Sequence, residues 1–523
     1  MMQKGSGKKI LEENIMEEQK EDGGTVTGND KKDIKSKFVI AGNLIKEKWN
    51  LIRENKKWFW ILCLVQLVAF SSIIRANFKY IDDLGRTING YKGWNNFSRF
   101  SSCFLSTFVN ADNYLTDISP LTQFMAILML ALTGIILIIT INSKTGKKTS
   151  FWQMLAVLPI AISPYFLQNF SYKFDSPYMA LSILASIIPL LFLDDNPILY
   201  FVVSFAGMLL TLTTYQTSTC VYPMAIIMIM SKRWADGDSS KDVWKKIGIS
   251  VAAFLVGVLF YKLFIMKPVA NYVNSSFAGF KGIIENYKHY FKNIKWDFKQ
   301  WWLVIIAIQI ALYIILFIRD SKNNKVMSCV VSCAGMILCI LLMFGIYPAL
   351  SKPLFSPRAM YGVGILISLI FLMNSSHEKV ILSKIFSFII VWAFIVLSLT
   401  YGNALSEQWD YTKFYTDSVA YDLAQIDCVK NGNCKEIEVT GTVGKAPAIK
   451  KACAKNHILG SLVWTPFCTS KDYWGAFYLY YYYNFPKNDS KTELTKENLP
   501  EIKNSKFYTI YGDDTRILVK LKS

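Results

Sequence analysis

Apolar residues in this chain come in repeated runs separated by short polar turns. Most runs approach the length of about 17–25 residues that crosses a bilayer core as a helix. Eleven can be drawn: 58–74, 121–141, 151–167, 178–193, two short ones within 198–230 divided near Thr214–Ser218, 247–266, 301–318, 326–347, 361–373 and 380–400. Ahead of the first, residues 38–57 set Ile40, Leu44, Ile45, Trp49 and Ile52 at helical spacing among lysines. That is the pattern of an amphipathic helix lying on a membrane. Residues 1–37 are charged and nearly free of aromatics, so they are expected to be a disordered basic tail.

The basic turns set an orientation. About thirteen Lys and Arg precede Trp58, which holds that end in the cytoplasm. Counting spans, the basic turns at 144–148, 231–246 and 319–325 fall on the same side. The loops 75–120, 168–177, 267–300 and 348–360 then face outward, together with residues 401–523. This last region changes character. Ala404, Trp409, Phe414, Val419 and Leu423 give an amphipathic helical pattern over 403–426. Residues 436–443, 507–512 and 516–521 read as strands, with the aromatic run 478–485 between them. The expected fold is an α-helical polytopic membrane protein of about 11 transmembrane helices over 58–400, followed by a small extracytoplasmic α+β domain.

Composition agrees with a bilayer as solvent: 52% of the 523 residues are hydrophobic and mean hydropathy is +0.28. A net charge of +19 could point to nucleic acid, but the basic residues are scattered among the loops. Anionic headgroups and topology explain them better, so membrane lipids are expected partners and nucleic acid is not. Of the ten cysteines, Cys428, Cys434, Cys453 and Cys468 fall in the polar C-terminal region. An even set in an oxidising compartment reads as two disulfides, with the pairing open. A zinc site is the rival, but short C-x-x-C pairs are missing.

Three outward positions carry charges beside spans, where charge is costly and usually has a reason. The first is Asp82-Asp83 with Arg86 after them; a carboxylate in low-dielectric surroundings can act as a base, and the plain alternative is a solvated helix start. The second is Lys173 and Asp175 before Ser176-Pro177, where Asp175 could simply cap a helix. The third is the proline-bounded turn from Lys352 to Arg358, suited to gripping a phosphate or to anchoring at the headgroups. Phosphate-loop, H-E-x-x-H and G-x-S-x-G elements are absent. No metal site is specified, although two carboxylates leave a divalent ion such as Mg or Mn open.

The run Y-x-D-D-x-G-R-x-x-x-G-Y-x-G-W at 80–94 resembles the O-antigen-modifying glucosyltransferases of serotype conversion. So do N-F-S-Y-K-F-D-S-P at 169–177, T-Y-Q-T-S at 214–218, F-S-P-R at 355–358 and Y-G-N-A-L at 401–405. The resemblance implies a GT-C-like membrane enzyme with its active site at the outer face of the bacterial inner membrane. Such an enzyme would move glucose from a polyprenyl-phosphate donor to a lipid-linked or surface polysaccharide. On that reading Asp82, Asp83 and Asp175 are catalytic, and Arg86, Arg358, Lys352 and Lys173 bind the donor phosphate. Trp94, Arg99, Tyr215 and Gln216 position substrate. A transporter or flippase of lipid-linked sugars is the competing class.

Overall fold

The computed structural model describes residues 29–267, 274–377, 379–465, 477–486 and 494–522. The chain divides into two units, residues 1–54 and 55–523. In the first, the Asn29–Glu54 helix begins inside the tail that was expected to lack structure.

In the second unit the apolar runs become helices. Among the described residues, seven are long and apolar enough to cross a membrane, and three further apolar helices are shorter, at Phe151–Ile162, Ser176–Phe192 and Gly362–Ser375. The chain is therefore a multi-pass membrane protein. The short helices are the most deeply buried; Gly362–Ser375 is closed in from Gly362 to Asn374. A helix shielded by protein need not reach both faces of the bilayer. Residues 151–167, expected as one span, form separate helices at Phe151–Val157 and Pro159–Ile162, and a third begins at Phe166. Pro159 and Pro164 supply no N–H, which breaks the ladder there. The division at 214–218 is real: Tyr215 leaves helical geometry between Pro197–Thr214 and Val221–Ala235.

The largest departure is at residue 401. The Ile381–Leu423 helix passes through that expected domain boundary without a break, merging the last span with the amphipathic segment. Gly402 explains how it sits so close to the first span, Lys56–Ala76: a Cβ there would collide with Ser72 and the backbone of Ile73. Small residues allow such backbone approach where lipid supplies no hydrophobic drive between helices.

Beyond the helix, four strands form a sheet in the order Glu436–Thr440, Arg516–Leu521, Tyr508–Gly512, Glu501–Asn504. The first pair is parallel and the others antiparallel. Alternate residues Ile437 and Val439, with Ile510, Ile517 and Val519, pack against Tyr415, Val419 and Leu423 of the long helix. The aromatic run opens as a short helix, Phe477–Tyr482. No disulfide joins the three described cysteines of this region. Cys428 and Cys434 face each other across a turn closed by a 2.9 Å backbone hydrogen bond. Cys453 lies on another helix, Pro447–Lys455, against the core of the bundle. Cys468 lies outside the described residues.

Candidate active site

The site grows from the loop after the first span. Ile81 takes φ 47°, a conformation a β-branched residue rarely adopts, and turns the chain into the short Asp82–Asn89 helix. Gly90, at φ 63°, closes that helix and sits so near Leu115 O that a Cβ would lie 3.1 Å from it. Next comes the Phe100–Asn110 helix, whose amphipathicity is turned outward. Phe104 and Phe108 are exposed, whereas buried Ser102 donates to Thr214 O at 3.2 Å. Its greasy face is left for lipid.

Successive helix residues point about 100° apart, so Asp82 and Asp83 have different surroundings. Asp83 is fully buried and accepts the backbone N–H groups of Lys173 at 2.9 Å and Tyr80 at 3.3 Å. Burial, with Asp175 nearby, pushes its carboxyl up to about 8. Asp82 keeps 34% of its side chain accessible and stands 4.0 Å from the Arg86 guanidinium. Burial raises its pKa as well, with Arg86 opposing.

Asp82 faces a cavity of about 290 Å³, with Arg86, Trp94, Arg99, Asp175 and Arg358 also on its walls. Asp175 accepts the indole N–H of Trp94 at 2.5 Å and is ion-paired with Arg86, whose guanidinium lies 4.7 Å over the Trp94 ring. Arg86 thus has carboxylates on two sides. The other two cations rest on aromatic faces. Arg358 donates to the Tyr172 hydroxyl at 2.7 Å, 5.3 Å over that ring. Arg99 stands 4.6 Å over Tyr215 and donates to Gln216 Oε1 at 3.0 Å. Tyr215 ties the two together, since its hydroxyl donates to Arg358 O at 3.2 Å. A cavity lined by carboxylates and by two arginines, each resting on an aromatic ring, suits a neutral nucleophile and an anionic leaving group.

This cavity lies within residues 71–369, which match the family model described as Glucosyl transferase GtrII. The chain belongs to the GtrII glucosyl transferase family. A relative from Salmonella phage P22, described as an uncharacterized 55.3 kDa protein in the gtrB 5′ region, is 25% identical over 424 residues. The alignment spans 77% of this chain and 85% of that protein. No solved structure matches. The resemblance to O-antigen-modifying glucosyltransferases is borne out. Membership in GtrII makes the chain a membrane glycosyltransferase, with a sugar donor and a glycan acceptor as its substrates, and sets the flippase reading aside.

Within this GtrII chain, Asp82, Arg86, Trp94, Arg99, Asp175 and Arg358 meet at one cavity. Tyr215 and Gln216 stand behind Arg99. Three residues expected at the site are elsewhere. Asp83 points away from the cavity and fastens the 168–177 loop. Lys173 is buried in an ion pair with Asp117 at 3.2 Å and a hydrogen bond to Asn77. Lys352 lies exposed on the two-stranded ribbon made by Asn274–Phe277 and Leu350–Lys352. Among the described residues, no group of three His, Cys, Asp or Glu side chains is gathered to hold a metal ion.

Sequence reasoning missed Tyr172, Gln168 and Tyr261. Gln168 accepts the Arg358 N–H at 2.8 Å and the Ser356 hydroxyl at 2.6 Å, and donates to the Tyr80 hydroxyl at 3.1 Å. It joins the Arg358 turn to the first loop. Tyr261, in a π-turn at the end of the Ser240–Phe260 helix, accepts from Gln216 Nε2 at 2.9 Å. A glutamine immediately at the end of the 151–167 apolar run was the one signal available for Gln168, because an amide beside lipid-depth surroundings needs partners.

Proposed function

We propose that the chain transfers a glucosyl group from a polyprenyl-phosphate donor to an O-antigen-type polysaccharide at the outer face of the inner membrane. The reading has the N-terminus cytoplasmic and the C-terminal domain outside. One observation carries it: Arg99 and Arg358, each backed by an aromatic ring, share a cavity with the partly accessible carboxylate of Asp82.

In this scheme Asp82 accepts the proton of an acceptor hydroxyl as its oxygen attacks the anomeric carbon of the donor. The bond from that carbon to the phosphate oxygen breaks, and the electron pair leaves with the polyprenyl phosphate. Arg358 and Arg99 stabilise the charge that develops on the phosphate. Arg86 is less suited to that role because Asp175 and Asp82 already balance it. Asp175 instead sets the positions of Arg86 and Trp94 on the cavity wall. Asp83 and Lys173 hold the loops that carry these groups.

The test uses membranes containing the full chain, radiolabelled polyprenyl-phosphate-glucose and lipid-linked surface glycan. Label should enter the glycan with wild type and not with Asp82→Asn. Undiminished transfer by Asp82→Asn would remove it as the base. Movement of labelled lipid between leaflets with no glycan labelling would overturn the transferase mechanism.

A further inference from the structure

The C-terminal domain holds a second concavity, apart from the cavity that contains Asp82. It is a groove of about 740 Å³ between the end of the long helix and the Glu501–Asn504 edge of the sheet. Tyr421 stands on its wall with 70% of its surface exposed. Gln425 and Asp427 follow on the helical side, and Asp514 comes from the turn between two strands. Two other wall carboxylates brace the fold. Asp422 pairs with Lys503 at 2.6 Å and accepts the Tyr508 hydroxyl at 2.5 Å, and Asp513 pairs with Arg516 at 2.6 Å.

We propose that this groove binds the acceptor glycan chain at a point remote from the reacting hydroxyl. The proposal rests on the glucosyl-transfer reading above. A tyrosine ring offers an apolar face to the C–H side of a sugar, and planar carboxylate and amide groups pair with its hydroxyls. Charge selects among ligands. In a chain of net charge +19, Lys503 and Arg516 balance Asp422 and Asp513, and Asp427 and Asp514 leave the groove walls net negative. Such a surface repels phosphate and anionic headgroups, so it suits a neutral, hydroxyl-rich polymer and not the donor lipid.

Two structural links make the groove relevant to catalysis. The helix bearing Tyr421 is unbroken from Ile381, so Tyr421 stands about 30 Å along its axis from Thr400, where the apolar run ends. Leu84 and Ile88, on the same short helix as Asp82, pack into the core of the C-terminal domain with Val419 and Ile510. Groove and cavity are held on one framework. A long glycan gripped at the groove would present other sugar units to Asp82 at high effective concentration.

Binding is measured on the full chain in detergent, with tritiated surface polysaccharide of the source cell freed of lipid by mild acid. The proteins are wild type, Tyr421→Ala, the pair Gln425→Ala with Asp514→Asn, and Asp82→Asn. Wild type and Asp82→Asn should bind alike, and both groove variants should bind about tenfold more weakly. Equal binding by all four, or no binding by wild type, overturns the groove. Glucosyl transfer on the same preparations separates the two readings. Transfer with an unchanged acceptor KM in Tyr421→Ala sinks the groove alone. Tyr421-dependent binding without any transfer sinks the donor reading alone.

Discussion

Asp83 accepts the backbone N–H of Lys173 at 2.9 Å, whereas the adjacent Asp82 opens on the cavity. One residue of helical register separates a carboxylate held in the framework from one that lines the cavity. Asp82→Asn should lower kcat by about 10²–10⁴-fold, the usual contribution of a general base, with membrane yield unchanged. Asp83→Asn should instead reduce yield and thermal stability. Equal kinetic losses in both variants, at equal yield, would contradict the division of roles.

Asp83 also sets a pH dependence of stability. Its carboxyl is raised to about 8 in the folded chain, against about 4 when unfolded. Between these values the folded state holds a proton that the unfolded state has lost. Stability must then fall as pH rises from about 4 to 8, with no further loss from this group above. Thermal unfolding of wild type and Asp83→Asn across that window provides the check. The Asn variant should show a shallower decline.

Asp82 predicts an acid limb in activity. Burial raises its pKa above the ordinary carboxylate value, and a base must be unprotonated to act. Transfer rate should therefore drop on acidification at a pH above the range of a free aspartate. A kcat profile flat down to pH 4 would argue against Asp82.

The cations divide in the same manner. Arg358→Ala should raise donor KM or lower kcat/KM by about 10–100-fold, the loss expected for a charged hydrogen bond of roughly 1.5–3 kcal/mol. Lys352→Ala should stay near wild type, because Lys352 is exposed on the ribbon and off the cavity walls. Steady-state kinetics with varied donor would settle both.

Gln168 positions Arg358 without reaching the cavity. Gln168→Leu orphans the Arg358 N–H and the Ser356 hydroxyl, at a cost of about 1–3 kcal/mol. Donor KM should rise while acceptor KM stays fixed. Gln168→Asn, which keeps the amide on a shorter arm, should recover part of the loss. A rise in both KM values together would mean a general defect of the site and not a loss of Arg358 positioning.

Much of this was legible in the chain itself. Runs such as 121–141 and 301–318 could be read because lipid imposes a length and an apolar composition on each span. The strands at 436–440, 508–512 and 516–521 followed from alternation and β-branched content. Motif resemblance located Asp82, Arg86, Asp175 and Arg358 on loops far apart in sequence that do meet. The continuous 43-residue helix was not legible, because its second half changes from apolar to amphipathic while the backbone stays helical.

Sequence alone determined the membrane class, the loops between apolar runs that carry the candidate site and the residue types present there, since local composition fixes what each segment can bury. Only tertiary structure decided which of two neighbouring aspartates reaches the cavity. It also decided which cations line the cavity and which, like Lys173 beside Asp117, are engaged within the framework. Those outcomes depend on partners 56 to 190 residues away along the chain, and no local pattern encodes a contact whose other half lies on a distant loop.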